Sequence, residues 1–363
     1  MEFRPTPVNW MVLGAMGAYM ASALALGTGA LVRIGRAPGK AARALRVVGW
    51  AFFAAGFAVS LATWLVRWHE VQHAPLQNLY EVFLTMGALM LPISLFCRRV
   101  LRVGAEWMDA VLAAVVLFPV AMVFNPEPQH LPAALQSPLF VPHVAVYLLS
   151  YVILAKATVQ ALACAGYRSR WAILVLTVPR AAFAILLMRM PPVEVALLIS
   201  GKWLGLGWLF APCTTGLYFI GAKWEDWVLL MIAAGAVLDV GLNGLAGYLV
   251  ATGKALPHAV RFARERATYT MVCLGFPLLT LGLVLGATWG KLAWGDYWNW
   301  DPKELWSLVS WLVFLGSLHF RAVCGPRWAR VGAVLVCLGF VCILTTLLWA
   351  NLSPLFAGLH SYA

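Results

Sequence analysis

Long apolar runs alternate with short polar breaks from one end of the chain to the other. A run of about 20 apolar residues crosses a bilayer as a helix. These runs are continuous rather than alternating with period two, which argues against the strands of a membrane β-barrel. The predicted fold class is all-α, a polytopic transmembrane helical bundle. Spans fall at about 8–32, 47–66, 78–96, 105–124 and 143–165 in the first part, and at about 269–289, 305–320 and 331–350 in the last.

Charge sorts the breaks between them. Arg33, Arg36, Lys40, Arg43 and Arg46 follow the first run, Arg98, Arg99 and Arg102 the third, and Arg168 and Arg170 the fifth. Lys254, Arg261, Arg264 and Arg266 precede the span at 269–289, and Arg321, Arg327 and Arg330 precede the last one. Basic loops mark the cytoplasmic side. The loops 67–77, 125–142 and 290–304 are therefore expected outside, with the N-terminus and the C-terminal tail 351–363. The first run is too long for a signal core and its basic cluster follows it, so it reads as a signal-anchor-like span.

Both flanks of 171–253 are inside, so an even number of spans lies between them. Two are expected, at about 204–222 and 227–251. Residues 171–203, with Arg180, Arg189, Lys202 and Pro191-Pro192, read as an amphipathic segment on the inner surface. The total is then ten spans; a further hairpin makes it twelve. Three parts follow: 1–165, with five spans and the outer His143; 166–264, an inserted segment with two spans; and 265–363, with a Trp-rich outer loop and His360.

Composition agrees with a membrane class: 63% of residues are hydrophobic and 11% charged, against about a quarter charged in soluble domains. The net charge of +12 comes from loops on one side, so it does not call for a nucleic-acid partner. Seven Cys are present, none in a CxxC pair and most inside apolar runs, where they act as small buried hydrophobes. No CxxCH occurs, so the chain is not itself a c-type cytochrome. Lys156, inside the fifth span, is expected to snorkel to the inner face.

One outer loop stands apart. Six of the 18 Trp lie between 289 and 311, interleaved with Gly295, Asp296, Tyr297, Asn299 and Asp301-Pro302. An interfacial aromatic belt spreads Trp over many span ends; this cluster sits in one loop. Trp and Tyr rings suit a flat, apolar, aromatic macrocycle, and Gly295 permits close backbone approach. Asp301 before Pro302 suits the cap of the next helix, a structural role as well supported as ligand contact. Two of the seven His, His143 and His360, fall on the same outer side. His319 lies at the opposite end of the span that follows the loop, more than roughly 20 Å away at 1.5 Å per residue, so it can serve only a separate inner site.

At Trp294-Gly-Asp-Tyr-Trp-Asn-Trp-Asp-Pro-Lys-Glu304 the chain resembles the Trp-rich "WWD" signature of haem-handling proteins, in the form found in the CcsA/ResC-type subunit of system II cytochrome c biogenesis. Pro75-Leu-Gln-Asn-Leu-Tyr-Glu81, the stretch opening at His143, Leu274 to Gly282 and the ending Gly358-Leu-His-Ser-Tyr-Ala363 extend the resemblance. It covers about 60–165 and 265–363; 166–264 departs from it. The resemblance implies haem b as a transient cargo and thioether attachment of that haem to the CxxCH thiols of apocytochrome c. It implies His143 and His360 as outer iron ligands, and Trp294, Tyr297, Trp298, Trp300 and Asp301 with Gly295 as the haem platform. It implies His319 at an inner haem site completed by a CcsB/ResB-type membrane subunit. The chain would be part of a cytochrome c synthase complex, in a bacterial plasma membrane rather than a thylakoid membrane, with its active face outside. The competing reading is a transporter or channel with aromatic outer loops. That reading calls for paired intramembrane polar residues in repeated halves, and the sequence contains no such halves.

Overall fold

The computed structural model describes residues 7–32, 39–164 and 258–349. They form eight α-helices: α1 Pro7–Val32, α2 Lys40–Val71, α3 Leu79–Arg99, α4 Glu106–Met122, α5 Phe140–Cys164, α6 His258–Trp294, α7 Pro302–Cys324 and α8 Ala329–Leu344. A π-helical turn, Thr345–Trp349, extends α8. Seven of these helices are long and apolar enough to cross a membrane, while α4, with 17 residues, is shorter. The chain is therefore a helical membrane protein. The expected spans at 204–222 and 227–251, and His360, lie outside the described residues.

Several elements run further than hydropathy alone marks. α2 continues through Arg67, Trp68, His69 and Glu70 before Gln72 turns left-handed at its end. α6 is 37 residues long and runs unbroken through 264 and 265. Its C-terminal extension to Trp294 shortens the Trp-rich loop to 295–301.

Small residues set the helix packing. α1 and α2 are antiparallel, with Gly49 against Leu26 and Gly56 against Tyr19. α5 and α6 meet along Gly275, Gly282 and Gly286, which face Leu154, Tyr147 and His143 in turn. A Cβ at Gly49, Gly56, Gly275 or Gly286 would overlap the facing side chain, and one at Gly282 would press on Tyr147. Ser150 adds a hydrogen bond to the Gly275 carbonyl, 2.8 Å. Without a hydrophobic driving force between helices in lipid, such close approach is what gains dispersion energy.

Two buried ion pairs close opposite ends of the α2–α5 region. Arg67 donates to Glu81 at 3.0 and 3.2 Å and to the Pro126 carbonyl at 2.7 Å. Glu81 also accepts the Gln77 N–H, 2.9 Å. The pair thereby ties the α2–α3 loop to the α4–α5 loop. At the other end Lys156 is buried against Asp109, which Ser94 also contacts at 2.5 Å. The snorkelling expected of Lys156 is not observed. Asp109, in the first turns of α4, offers a buried partner, and pairing replaces the reach for water.

Candidate functional site: an aromatic cavity at the loop end

The α2–α3 loop, the α4–α5 loop, the α6–α7 loop and the end of α8 converge at one end of the bundle. Gln77 bonds the His130 carbonyl at 3.1 Å, and the Trp289 indole bonds the Ala134 carbonyl at 3.0 Å. Between these elements lies a cavity of about 190 Å³, whose walls include Leu76, Gln77, His143, Tyr147, Leu283 and Gly286, with Trp289, Tyr297, Trp298 and Lys303 nearer the loop and Thr346 and Leu347 beyond α8.

His143 is held from several directions. Its Nδ1 lies 2.8 Å from the Gly282 carbonyl. A carbonyl only accepts, so Nδ1 carries the proton and Nε2 is the basic nitrogen, the form in which imidazole binds a metal. The ring stacks on Trp289 with centroids 5.8 Å apart and planes 25° apart, and meets Tyr147 edge-on at 5.0 Å. It lies directly over Gly286, where any side chain would collide with it. Ring orientation and tautomer are thus built into the α5–α6 packing.

The loop side is organised by a helix cap. Asp301 accepts the Lys303 N–H at 3.0 Å, and Glu304 reaches back to the Asp301 N–H at 3.3 Å, completing a capping box with Pro302 in the first turn. The cap expected at Asp301 is formed. Glu304 also accepts the Asn299 N–H, 2.7 Å. Gly295 and Trp300 both adopt positive φ, 89° and 57°. For Gly this is free; for Trp it costs about 1 kcal/mol or more, so the cap holds the loop in a shape that local preference opposes.

Tyr297 and Trp298 line the cavity with His143. Trp294 packs edge-on against Trp289, 4.7 Å, and so stands behind the wall. Gly295 and Asp301 shape the loop without lining the cavity. Trp300 is 69% exposed and touches Trp298 edge-on at 6.1 Å. His319 is exposed on α7, bonded through Nδ1 to the Leu315 carbonyl, and is not brought to the cavity. Among the described residues no group of three His, Cys, Asp or Glu is arranged to hold a metal ion. An iron here would draw on single imidazoles.

Comparison with known proteins supplies the name of the group. The family described as "Cytochrome C assembly protein" matches residues 256–357. "Cytochrome c biogenesis protein CcsA" of Crocosphaera subtropica is 32% identical over 319 residues, which is 82% of each chain. The proteins of that name from Gloeobacter violaceus and Rippkaea orientalis are 31% and 33% identical, over 82% and 85% of this chain and 80% and 86% of their own. The chain belongs to the CcsA family.

In this CcsA-family chain the matched segment 256–357 holds α6, the Trp-rich loop, α7 and α8, while His143 comes from α5, more than a hundred residues earlier. The residues that sequence reasoning left off the site are those that complete the wall: Trp289, Gly286, Tyr147, Gln77 and Lys303. Trp289 carried a signal, as the first of the six clustered Trp. Gly282 and Gly286 form a small-xxx-small pair, a mark of close helix contact, but the sequence does not say against which helix.

Proposed function

We propose that the cavity is a haem station on the outer face of the membrane, and that the chain presents haem there for covalent attachment to apocytochrome c. The observation that carries this reading is His143: a cavity-wall imidazole whose tautomer and plane are fixed by Gly282, Trp289 and Gly286. A role in cytochrome c maturation comes with membership of the CcsA family.

The donor set fits haem iron, for which imidazole is a common axial ligand. His360 is the proposed second ligand. The tail that carries it begins after Trp349, just past Thr346 and Leu347 in the cavity wall. Eleven residues reach at most roughly 36–40 Å when extended, ample to return to the cavity. At about 190 Å³ the cavity is smaller than the roughly 300–1,000 Å³ that buries a whole small ligand. It seats part of the macrocycle and leaves the rest to the Tyr297, Trp298 and Trp300 faces, with Trp294, Gly295 and Asp301 shaping that platform.

Haem b is cargo in this reading. The CxxCH thiols of the apocytochrome add across its vinyl groups, with the sulfur bonding to one vinyl carbon and the thiol proton going to the other. Two imidazoles restrict access to the iron until an incoming His displaces one. The topology proposed has ten spans, in parts 1–165, 166–264 and 265–363, with both termini outside a bacterial plasma membrane. His319, on the opposite reach of α7, would serve an inner haem station completed by a CcsB/ResB-type subunit, together forming the synthase.

The test is cytochrome c yield in cells expressing the chain with that partner. His143→Ala and His360→Ala should each lower the yield at least tenfold, with partial rescue by added imidazole. Full yield from either variant removes that residue from the site.

A further inference from the structure

The cavity wall is aliphatic, aromatic and neutral-polar except at the start of α7. Lys303 is the only Lys or Arg among the described residues that line it. It is half-buried, and it interacts electrostatically with the Asp301 carboxylate. Asp301 and Glu304 are both committed to backbone amides of the capping box, so they are fixed in place. Lys303 is the cation that the cavity wall itself presents among the described residues. It stands in the first turn of α7, where the helix dipole also favours an anion.

We propose that Lys303 anchors a carboxylate at the edge of the ligand, which for haem is a propionate. The proposal rests on the reading of the cavity as a haem site. Its consequence is orientation. The two propionates occupy one edge of the macrocycle, and the two vinyl groups lie away from that edge. Holding the propionates at the start of α7 turns the vinyl edge away from Lys303 and so gives the macrocycle one defined orientation in the cavity. The Asp301 carboxylate lies close enough to act electrostatically on the Lys303 ammonium, so a carboxylate remains near the cation when the ligand leaves.

The test is titration of the detergent-solubilised full-length protein, followed by absorption, with haem and with haem dimethyl ester, whose propionates are uncharged. Four proteins are compared: wild type, Lys303→Met, Lys303→Arg and Gly286→Leu. A charge-assisted hydrogen bond supports a preference of about tenfold or more for haem over the ester in wild type. Lys303→Met should bind both at the affinity wild type shows for the ester, and Lys303→Arg should keep the preference. Equal affinity of wild type for the two porphyrins, or a preference that survives in Lys303→Met, overturns the anchor. Should Lys303→Met fail to fold, Lys303→Gln, which is also uncharged, takes its place. Gly286→Leu separates the two levels: if it leaves binding of both porphyrins intact, the cavity reading itself falls and the anchor with it. If it abolishes binding while Lys303→Met keeps the preference, only the anchor falls.

Discussion

α5 and α7 contribute facing walls of one cavity and are packed in contrary ways. α5 is mostly buried, lies along a glycine stripe of α6, and holds His143 in one orientation. α7 is mostly unburied, with Leu305 and His319 exposed, and follows a loop with two residues at positive φ, one of them the exposed Trp300. One wall is a rigid socket and the other an accessible face. Under the proposed function the chain holds a large planar group and then gives it up, which calls for both: fixed geometry on the side of the ligand atom, and an approachable surface on the side of release. The exposed apolar length of α7 is also what a helix facing lipid or a partner subunit presents.

The comparison breaks most severely if the socket is filled. Gly286→Leu should displace the His143 ring, lower haem content at least tenfold and leave the protein folded, because the helices part locally; haem per purified chain is the measure. Next in size is the support beneath the socket. Arg67→Met leaves Glu81 buried without its cation, which costs about 3–5 kcal/mol; membrane levels and thermal stability should fall. The double variant with Glu81→Gln should recover much of that loss. A third effect is local to the exposed wall. Asp301→Ala removes the α7 cap for about 1 kcal/mol, while Asp301→Asn or Asp301→Ser should keep most of it. The smallest is Trp300→Ala, which should change stability by less than about 0.5 kcal/mol, because Ala also carries a Cβ and keeps the left-handed strain. Its effect should appear in transfer to apocytochrome rather than in haem retention. A large loss of stability there would mean that the loop is part of the core.

Much of this was legible along the chain because bilayer thickness and local signals act on contiguous residues. Helix positions follow from run length, and the Asp301-Pro302 cap follows from its own residues. α4, at the span expected over 105–124, nevertheless has 17 residues and is not among the seven helices long enough to cross a membrane. The failures are also local in origin. α2 and α6 outrun their apolar cores because polar residues at a membrane surface still make good helix. Lys156 was expected to snorkel because its partner, Asp109, sits 47 residues away. The cavity wall was legible only in its Trp-rich part. Gly286 and Trp289 acquire meaning only when α5 lies against α6, a pairing made across more than a hundred residues that no local pattern specifies. His143 was singled out by its side of the membrane; that its ring is clamped between a carbonyl and a Trp is tertiary information.

The central claim is that His143 ligates haem in the socket of α5 and α6. The absorption spectrum of the reduced, full-length protein purified with its haem tests it most directly, wild type against His143→Ala. The account requires a six-coordinate, low-spin spectrum in wild type. In the variant it requires conversion to a five-coordinate form that reverts on adding imidazole. A His143→Ala protein with full haem content and the wild-type low-spin spectrum would contradict it.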